Sequence, residues 1–217
     1  MALTLYAHPF SSYCQKVLTA LYESGVPFEY RSLEDPAAGA EMRALWPFGK
    51  FPVLVDHGET VAESTAIIEH LDKRHPGPTR LIPADPQAAL RVRFLDRVFD
   101  NHVMTPMQKP VAEALRPEPA RLDETLEESR RKLDVAYAWL NDALRGDAWA
   151  AGDAFTLADC AAAPALFYAD WVHPISDRYG RLRDYRARLL GRPSFARCVE
   201  EARPFRGYFP LGAPDRD

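Results

Sequence analysis

Several features are scarce in this sequence of 217 residues, and each scarcity argues against a class of protein. The chain has only three cysteines, Cys14, Cys160 and Cys198, an odd number at wide spacing. This pattern argues against a disulfide framework and favours a reducing compartment, so we expect a cytoplasmic protein. No apolar run approaches the roughly 18 residues that a membrane span needs. The N-terminus also lacks the charged start and apolar core of a signal peptide.

A strong net charge is lacking too. Lys and Arg number 27 against 31 Asp and Glu, which gives a formal net charge of −4 with both signs interspersed. Without a polybasic face, neither nucleic acid nor an anionic membrane is an expected partner. No spacing of His, Cys and Asp resembles a metal site, and no Gly-rich loop suited to phosphate occurs. The 47% apolar fraction is typical of a globular protein, with length for one large domain or two small ones.

Strand and helix patterns alternate over the first third of the chain. Apolar or alternating segments predict four strands, and amphipathic spacing predicts three helices between and after them. The strands are 3–7, 28–32, 51–56 and 59–61, and the helices contain 17–22, 37–45 and 63–71. The order β-α-β-α-β-β-α predicts a compact α/β domain with a mixed sheet over 1–78.

A proline cluster marks the end of this domain, and the strand signal disappears beyond it. Its members are Pro76, Pro78, Pro83 and Pro86. Apolar residues with helical spacing begin at Leu90 and again at Leu122, which predicts two long helices. Thr156-Leu157-Ala158-Asp159 matches a helix capping box, and further helices are expected near 178–190 and 194–203. We therefore expect an all-α domain over 86–217.

The stretch from His8 to Val17 joins the first strand to the first helix. Ser11, Ser12 and Cys14 lie at the helix start, where unpaired backbone N–H groups and the helix dipole favour an anion. We interpret this turn as an anion site, and our hypothesis is that the anion is a thiolate.

Four motifs, in this order along the chain, resemble those of the cytosolic glutathione transferases. Ser11-Ser12-Tyr13-Cys14 resembles the serine-containing turn of the theta, zeta and delta classes, and 47–54 resembles the loop into a cis-proline strand. Residues 63–67 resemble the Glu-Ser glutathione clamp, and 155–159 resemble the capping box of the second domain. Trp46 stands before the loop proline, where many members of the family carry Asn, and this difference leaves the subclass open. The resemblance implies a thioredoxin-like domain that binds glutathione, followed by an all-helical domain that supplies the second-substrate pocket.

Ser11 is the catalytic residue that the resemblance implies, because it lies six positions before Val17. A hydroxyl donating to a thiolate contributes about 1.5–3 kcal/mol, which lowers a thiol pKa of about 8.5 by roughly one to two units. Ser12 is the competing donor and is otherwise expected to cap the helix. Tyr6 and Cys14 are expected to be packing residues, since Ser-x-x-Cys lacks the attacking thiolate of a redox motif.

The resemblance also implies the glutathione-binding residues. Lys50 would contact the glycine carboxylate, and a cis Pro52 would present the backbone of Phe51 to the cysteinyl portion. Glu63 would take the γ-glutamyl ammonium and Ser64 the γ-glutamyl carboxylate. The alternatives are that Pro52 is an ordinary proline at a strand start, that Lys50 is a solvated loop residue, and that Glu63 and Ser64 only begin a helix.

A second-substrate pocket is expected between the domains, where aromatic, amide and thioether side chains would meet. The predicted lining residues are Phe10, Tyr13, Asn101, Met104 and Met107. Thr105-Pro106 predicts a kink in the nearby helix, and His102 is expected to be structural. Methionine and aromatic residues at helical spacing are also typical of a hydrophobic core, so a core role is the alternative for these residues.

The resulting hypothesis is a glutathione transferase that activates the glutathione thiol for attack on a small hydrophobic electrophile, with no metal. Relatives of this type are homodimers that associate through the third and fourth helices, and a surface with Arg91, Arg93 and Asp96 is compatible with that. Two alternatives stay open: a glutathione-dependent isomerase of the zeta (maleylacetoacetate/maleylpyruvate) type, and a non-catalytic binding or regulatory protein of the same fold.

Overall fold

The computed structural model describes residues 3–118, 120–144 and 148–217. A small sheet with three helices comes first, and helices make up the rest of the described chain. The elements are β1 (Thr4–Ala7), α1 (Ser12–Ser24), β2 (Glu29–Ser32), α2 (Pro36–Leu45), β3 (Val53–Asp56), β4 (Glu59–Ala62), α3 (Ser64–Arg74), α4 (Pro86–Val98), a π-helical segment (Phe99–Met104), α5 (Thr105–Ala114), α6 (Leu122–Ala143), α7 (Leu157–Val172), α8 (Gly180–Leu190), α9 (Pro193–Ala202) and a 3₁₀ segment (Arg203–Tyr208). None of the helices in the described ranges combines the length and apolarity needed to cross a membrane.

The sheet has the strand order β2-β1-β3-β4. β1 runs parallel to β2, with Leu5 opposite Tyr30, whereas the pairs β1–β3 and β3–β4 are antiparallel. A parallel pair needs a crossover connection, and α1 provides it. Tyr6, Ala38 and Met42 pack together under α2 on the face of the sheet away from α1. The predicted β-α-β-α-β-β-α order and the thioredoxin-like class are confirmed.

Helix α1 begins at the turn that the sequence singled out. The Oγ atom of Ser11 accepts a hydrogen bond from the backbone N–H of Cys14 at 3.4 Å, which makes Ser11 the N-cap. The expectation that Ser12 caps the helix is wrong, because Ser12 is the first helical residue and its Oγ accepts from Nε2 of Gln108 at 3.3 Å. Gly25, with φ 67°, ends the helix in the left-handed conformation that glycine favours.

The helical part is centred on α7, whose residues are all buried. Its predicted capping box is confirmed, since Asp159 accepts from the backbone N–H of Thr156 at 2.8 Å. The same buried carboxylate accepts from Ala150 N–H at 2.9 Å and from the Tyr185 hydroxyl at 2.6 Å. One hydrophobic cluster runs from β1 and α1 through α7 to α9, so the two parts of the chain share a core.

The predicted kink at Thr105-Pro106 takes a different form. The chain stays helical, and the π-helical segment lies immediately before Thr105. The Thr105 hydroxyl donates to the Asp100 carbonyl at 2.9 Å. Proline has no N–H to donate and crowds the preceding turn, so a wider turn accommodates Pro106 without a break.

Candidate functional site

Two cavities adjoin where β3 and the starts of α1 and α3 meet the helical part, and Phe51 lines both. The polar cavity, of about 410 Å³, is lined by Tyr13, Trp46, Lys50, Phe51, Pro52, Glu63, Ser64, Thr65, Arg97, Asp100 and Asn101. The apolar cavity, of about 710 Å³, is lined by His8, Phe10, Ser11, Ser12, Glu34, Phe51, Met107, Gln108, Val111, Leu115, Tyr168, Tyr208, Phe209 and Pro210.

The polar cavity brings together all five residues predicted to bind glutathione. The Phe51-Pro52 peptide bond is cis and leads directly into β3. Ser64 is the buried first residue of α3, so the helix N-terminus points a partial positive charge at the cavity. Glu63 and Lys50 are exposed and carry opposite charges. Glu63 has a φ of 69°, which a non-glycine residue rarely adopts and which often marks a functional position.

A buried charge network supports the start of α3. The Lys16 Nζ atom lies 2.6 Å from Asp96 Oδ1 and 2.8 Å from Asp100 Oδ2, and it donates to Thr65 Oγ1 at 2.9 Å. Arg97 pairs with both carboxylates as well. Burial raises the pKa of Asp100, and Lys16 acts in the opposite direction. Two cations thus face two carboxylates; Lys16, Asp96 and Asp100 are buried, and the half-exposed Arg97 pairs with both carboxylates from the solvent side.

This network differs from the sequence-based expectation, and one of its members lies elsewhere than predicted. Asp96 was expected on a surface with Arg91 and Arg93, but it is 0% exposed. The available signal was the spacing of Asp96 and Asp100, four residues apart on one helix face, together with a lysine among the apolar residues of α1. Spacing alone could not reveal that the two faces meet.

Ser11 lines the apolar cavity and is partly exposed. Its oxygen accepts the capping hydrogen bond, so the hydroxyl hydrogen is available to donate elsewhere. Cys14 is fully buried, and its Sγ accepts from the His8 backbone N–H at 3.4 Å. Burial raises the pKa of Cys14 to about 12, so this thiol stays protonated at neutral pH. Tyr6 is buried and donates to Glu41 at 3.1 Å, in agreement with a packing role.

The five residues predicted for the second-substrate pocket do not lie together. Phe10 and Met107 line the apolar cavity, whereas Tyr13 and Asn101 line the polar one. Met104 is 1% exposed within the hydrophobic core and lines neither, which corrects its assignment. The π-helical segment shifts the phase of the helix, so periodicity counted along α4 does not carry through to Met104. Burial raises the pKa of Tyr13 to about 12, which keeps its phenol protonated.

One carboxylate stands at the edge of the apolar cavity. Nδ1 of His8 accepts from the Phe10 N–H at 3.1 Å, so Nε2 carries the hydrogen and donates to Glu34 Oε1 at 2.8 Å. The Tyr208 hydroxyl donates to Glu34 Oε2 at 3.2 Å. Among the described residues that line this cavity, Glu34 alone carries a formal charge at neutral pH. No sequence pattern indicates this arrangement, because His8 follows β1, Glu34 follows β2 and Tyr208 ends the C-terminal 3₁₀ segment, and these segments are far apart in the chain.

Comparisons with known proteins agree with the fold. Sequence models of the glutathione S-transferase N-terminal and C-terminal domains match residues 5–79 and 103–193. The probable maleylacetoacetate isomerase of Vibrio cholerae is 30% identical over 217 residues, covering 94% of this chain and 98% of that protein. Glutathione S-transferase 3 of Zea mays is 31% identical over 214 residues, with 91% and 93% covered. The stringent starvation protein A homolog of Coxiella burnetii is 28% identical over 202 residues, with 92% of each covered.

A solved structure extends the likeness to three dimensions. The glutathione S-transferase of Methylobacterium radiotolerans, in complex with glutathione sulfonate, superposes with a TM-score of 0.77 at 33% identity and covers 92% of this chain and 95% of that one. The two domain models and the structural likeness therefore agree, and the chain belongs to the glutathione S-transferase family.

Proposed function

We propose that this protein is a glutathione transferase in which Ser11 activates the thiol of bound glutathione. The observation that carries the proposal is the position of Ser11, on the apolar cavity beside Phe51, which also lines the polar cavity. A tripeptide in the polar cavity that extends its cysteine past Phe51 brings its sulfur to the Ser11 hydroxyl. The sulfur then faces the cavity in which an apolar electrophile would bind.

Glutathione recognition is assigned to five groups. Lys50 attracts the glycine carboxylate, and the backbone of Phe51, held by Pro52, pairs with the cysteinyl portion. Glu63 takes the γ-glutamyl ammonium, and the Ser64 N–H at the start of α3 takes the γ-glutamyl carboxylate. Opposite charges on Lys50 and Glu63 match the charges at the two ends of the ligand. The glutathione sulfonate bound by the Methylobacterium relative supports this choice of ligand.

Thiol activation needs no general base in this arrangement. The Ser11 hydroxyl donates to the sulfur, and a hydrogen bond to a charged acceptor contributes about 1.5–3 kcal/mol. That energy lowers the pKa of the glutathione thiol from about 8.5 by roughly one to two units. The thiolate then attacks the electrophile, forms the C–S bond and expels the leaving group. Cys14, buried and protonated, takes no part.

The charge of the apolar cavity favours a neutral electrophile. Glu34 is the one formally charged residue among the described residues that line it, and a carboxylate repels an anionic substrate. Maleylacetoacetate, named for the Vibrio relative, carries carboxylates, so an isomerase of that type has less support here. A non-catalytic binding or regulatory role has less support as well, because Ser11, Glu63 and Ser64 all line the two cavities.

We also propose that 1–78 and 86–217 act as two domains and that the protein forms a homodimer through the faces of α3, α4 and α6. Leu90 and Phe94 on α4 are exposed at 62% and 46%, and Val135 and Trp139 on α6 at 72% and 41%. Apolar side chains clustered on one face mark an interaction surface. Sedimentation equilibrium of the purified protein would measure the mass directly.

The decisive experiment replaces Ser11 and follows the thiolate itself. Ser11→Ala should raise the thiol pKa of bound glutathione by about one to two units and reduce conjugation at neutral pH by roughly 10- to 100-fold. Thiolate absorbance against pH measures the first effect, and conjugation to a chlorodinitrobenzene measures the second. Ser12→Ala is the matched control and should change neither by more than about threefold. Unchanged thiolate absorbance and unchanged conjugation in Ser11→Ala would refute the assignment of Ser11. If titration calorimetry detects no glutathione binding to the wild-type protein, the non-catalytic alternative is favoured.

A further inference from the structure

Outside the two cavities, three side chains gather around one buried carboxylate. Asp56 ends β3 and is 5% exposed. Nε2 of His70, on α3, lies 2.8 Å from Asp56 Oδ2, and Nε2 of His75, immediately after α3, lies 2.8 Å from the same oxygen. The three ligand-capable atoms lie within 4.8 Å of one another. His57 approaches the other oxygen, with Nδ1 2.7 Å from Asp56 Oδ1.

These atoms have the chemistry of a transition-metal site. Two imidazole nitrogens and one carboxylate oxygen are a common donor set for zinc, with bonds of about 2.0–2.2 Å. Around a tetrahedral ion such atoms stand about 3.3 Å apart. Each imidazole nitrogen therefore has to move about half an ångström away from the carboxylate oxygen, and the two nitrogens, which lie within 4.8 Å of each other, have to reach the same spacing. A neutral imidazole binds through the nitrogen without hydrogen, so both rings would carry their hydrogens on Nδ1.

The Asp56 carboxylate and the end of α3 favour a cation at this position, whereas Lys73 and Arg74 in the last turn of α3 act against it. Asp56 supplies the negative charge of the donor set. The cluster lies at the C-terminal end of α3, where the helix dipole is negative, since His75 is the C-cap and donates its N–H to the Leu71 carbonyl. The side chains of His70 and His75 are 11% and 23% exposed, which shields the ligands while leaving an approach from solvent. His57, at 70% exposed, stands at that opening.

We propose that Asp56, His70 and His75 form a binding site for one divalent transition-metal ion, with Zn²⁺ as the preferred occupant and water or His57 as the fourth ligand. The ion would join the β3–β4 hairpin to the end of α3. Both elements also carry site residues at their other ends, Pro52 before β3 and Ser64 at the start of α3. Bound metal would therefore stabilise the scaffold of the polar cavity without entering it.

Metal titration of the untagged full-length protein tests the site. Isothermal titration with Zn²⁺ should give one ion per chain, and Co²⁺ should produce visible ligand-field bands that Zn²⁺ abolishes. Zn²⁺ should also raise the melting temperature followed by circular dichroism. These measurements require no variant and no glutathione, so they are independent of the proposed transferase activity. Absence of Zn²⁺ binding by the wild-type protein would overturn the proposal.

Two variants identify the ligands. His70→Gln and His75→Gln each leave an amide that can still donate to Asp56, so the hydrogen bonds can persist while a metal ligand is lost. Loss of an outer partner costs about 10–100-fold in metal affinity, so loss of a ligand should weaken Zn²⁺ binding by at least roughly 100-fold. His102→Gln removes an exposed histidine elsewhere and should bind Zn²⁺ as the wild type does. Equal binding by His70→Gln, His75→Gln and the wild type would assign the ion to another place and refute the site.

Discussion

The Nζ atom of Lys16 lies 2.6 Å from Oδ1 of Asp96, and each side chain is 1% exposed. A charge that is buried to this degree must be paired, because water can no longer solvate it. The pair connects α1, which carries Ser11 at its N-cap, with α4, and Thr65 at the start of α3 hydrogen-bonds both partners. The network therefore fixes the relative positions of the two helix starts on which the proposed activity depends.

Removal of the Lys16 charge should destabilise the protein strongly. In Lys16→Met, Asp96 and Asp100 would keep only Arg97 as a cation, and breaking a buried pair typically costs about 3–5 kcal/mol. Urea unfolding measures the loss. Arg93→Ala is the matched control, because Arg93 also joins α4 to α3, through Glu69 at 2.7 Å, but its pair is exposed at 44% and 36%. That control should cost at most about 1 kcal/mol. Equal losses in the two variants would contradict the importance of the buried network.

The three buried thiols should make the protein sensitive to alkaline pH. Burial raises the pKa of Cys14 and Cys198 to about 12 and that of Cys160 well above its ordinary value. In the unfolded chain the same thiols ionise near pH 8.5. Their contribution to stability is therefore complete below about pH 8.5 and is lost as the pH rises toward the folded values. In that pH range, each buried thiol should lower the free energy of unfolding by about 1.4 kcal/mol per pH unit.

Urea unfolding at a series of pH values between 8 and 10 would measure this slope. Cys160→Ala should lower the overall stability by removing packed volume, yet it should also reduce the slope by about a third, since one of three thiols is gone. A stability that stays constant over this range would show that the cysteines do not differ between the folded and unfolded states.

Glu34 should control how the apolar cavity discriminates by charge. Glu34→Gln keeps one acceptor oxygen for His8, lets its amide NH2 donate to the Tyr208 hydroxyl in place of the bond that Glu34 accepts, and removes the negative charge. We expect kcat/KM for a chloronitrobenzoate to rise by roughly threefold to tenfold, because repulsion between two carboxylates is removed. The value for the neutral chlorodinitrobenzene should change little. Glu29→Gln, on an exposed position of β2, is the control and should leave both values unchanged. An equal change for both electrophiles in Glu34→Gln would argue against charge selection.

Met104 and Met107 should respond differently to truncation. Met107 lines the apolar cavity, so Met107→Ala should raise KM for an apolar electrophile while KM for glutathione stays constant. Met104 lies in the core, and Met104→Ala should cost about 2–5 kcal/mol of stability with both KM values near those of the wild type. Met107 is also buried in the core cluster, so both variants should lose stability in urea, and the electrophile KM from steady-state kinetics separates the two roles. A raised electrophile KM in Met104→Ala would return Met104 to the pocket.

Local patterns in the sequence were sufficient for the order of elements. Alternation predicted the strands, apolar spacing predicted the helices, and the Thr156–Asp159 capping box was visible in four consecutive residues. Such features depend on neighbours in the chain, and the structure confirms them. The motif around Ser11 and the Phe51-Pro52 segment could be found in the same way, although their catalytic and binding roles stay predictions.

Contacts between distant segments could not be predicted from these patterns. Ser11 rather than Ser12 caps α1, a one-residue difference in where the helix begins. Lys16 meets Asp96 and Asp100 only because α1 packs beside α4, and β3 delivers Asp56 to the end of α3 in the same manner. Sequence periodicity records which side of a helix or strand is buried, but not which partner it is buried against. The sequence by itself thus determined the fold class and the position of the serine turn at the start of α1, whereas tertiary packing decided the charge network, the shapes of the two cavities and the histidine cluster.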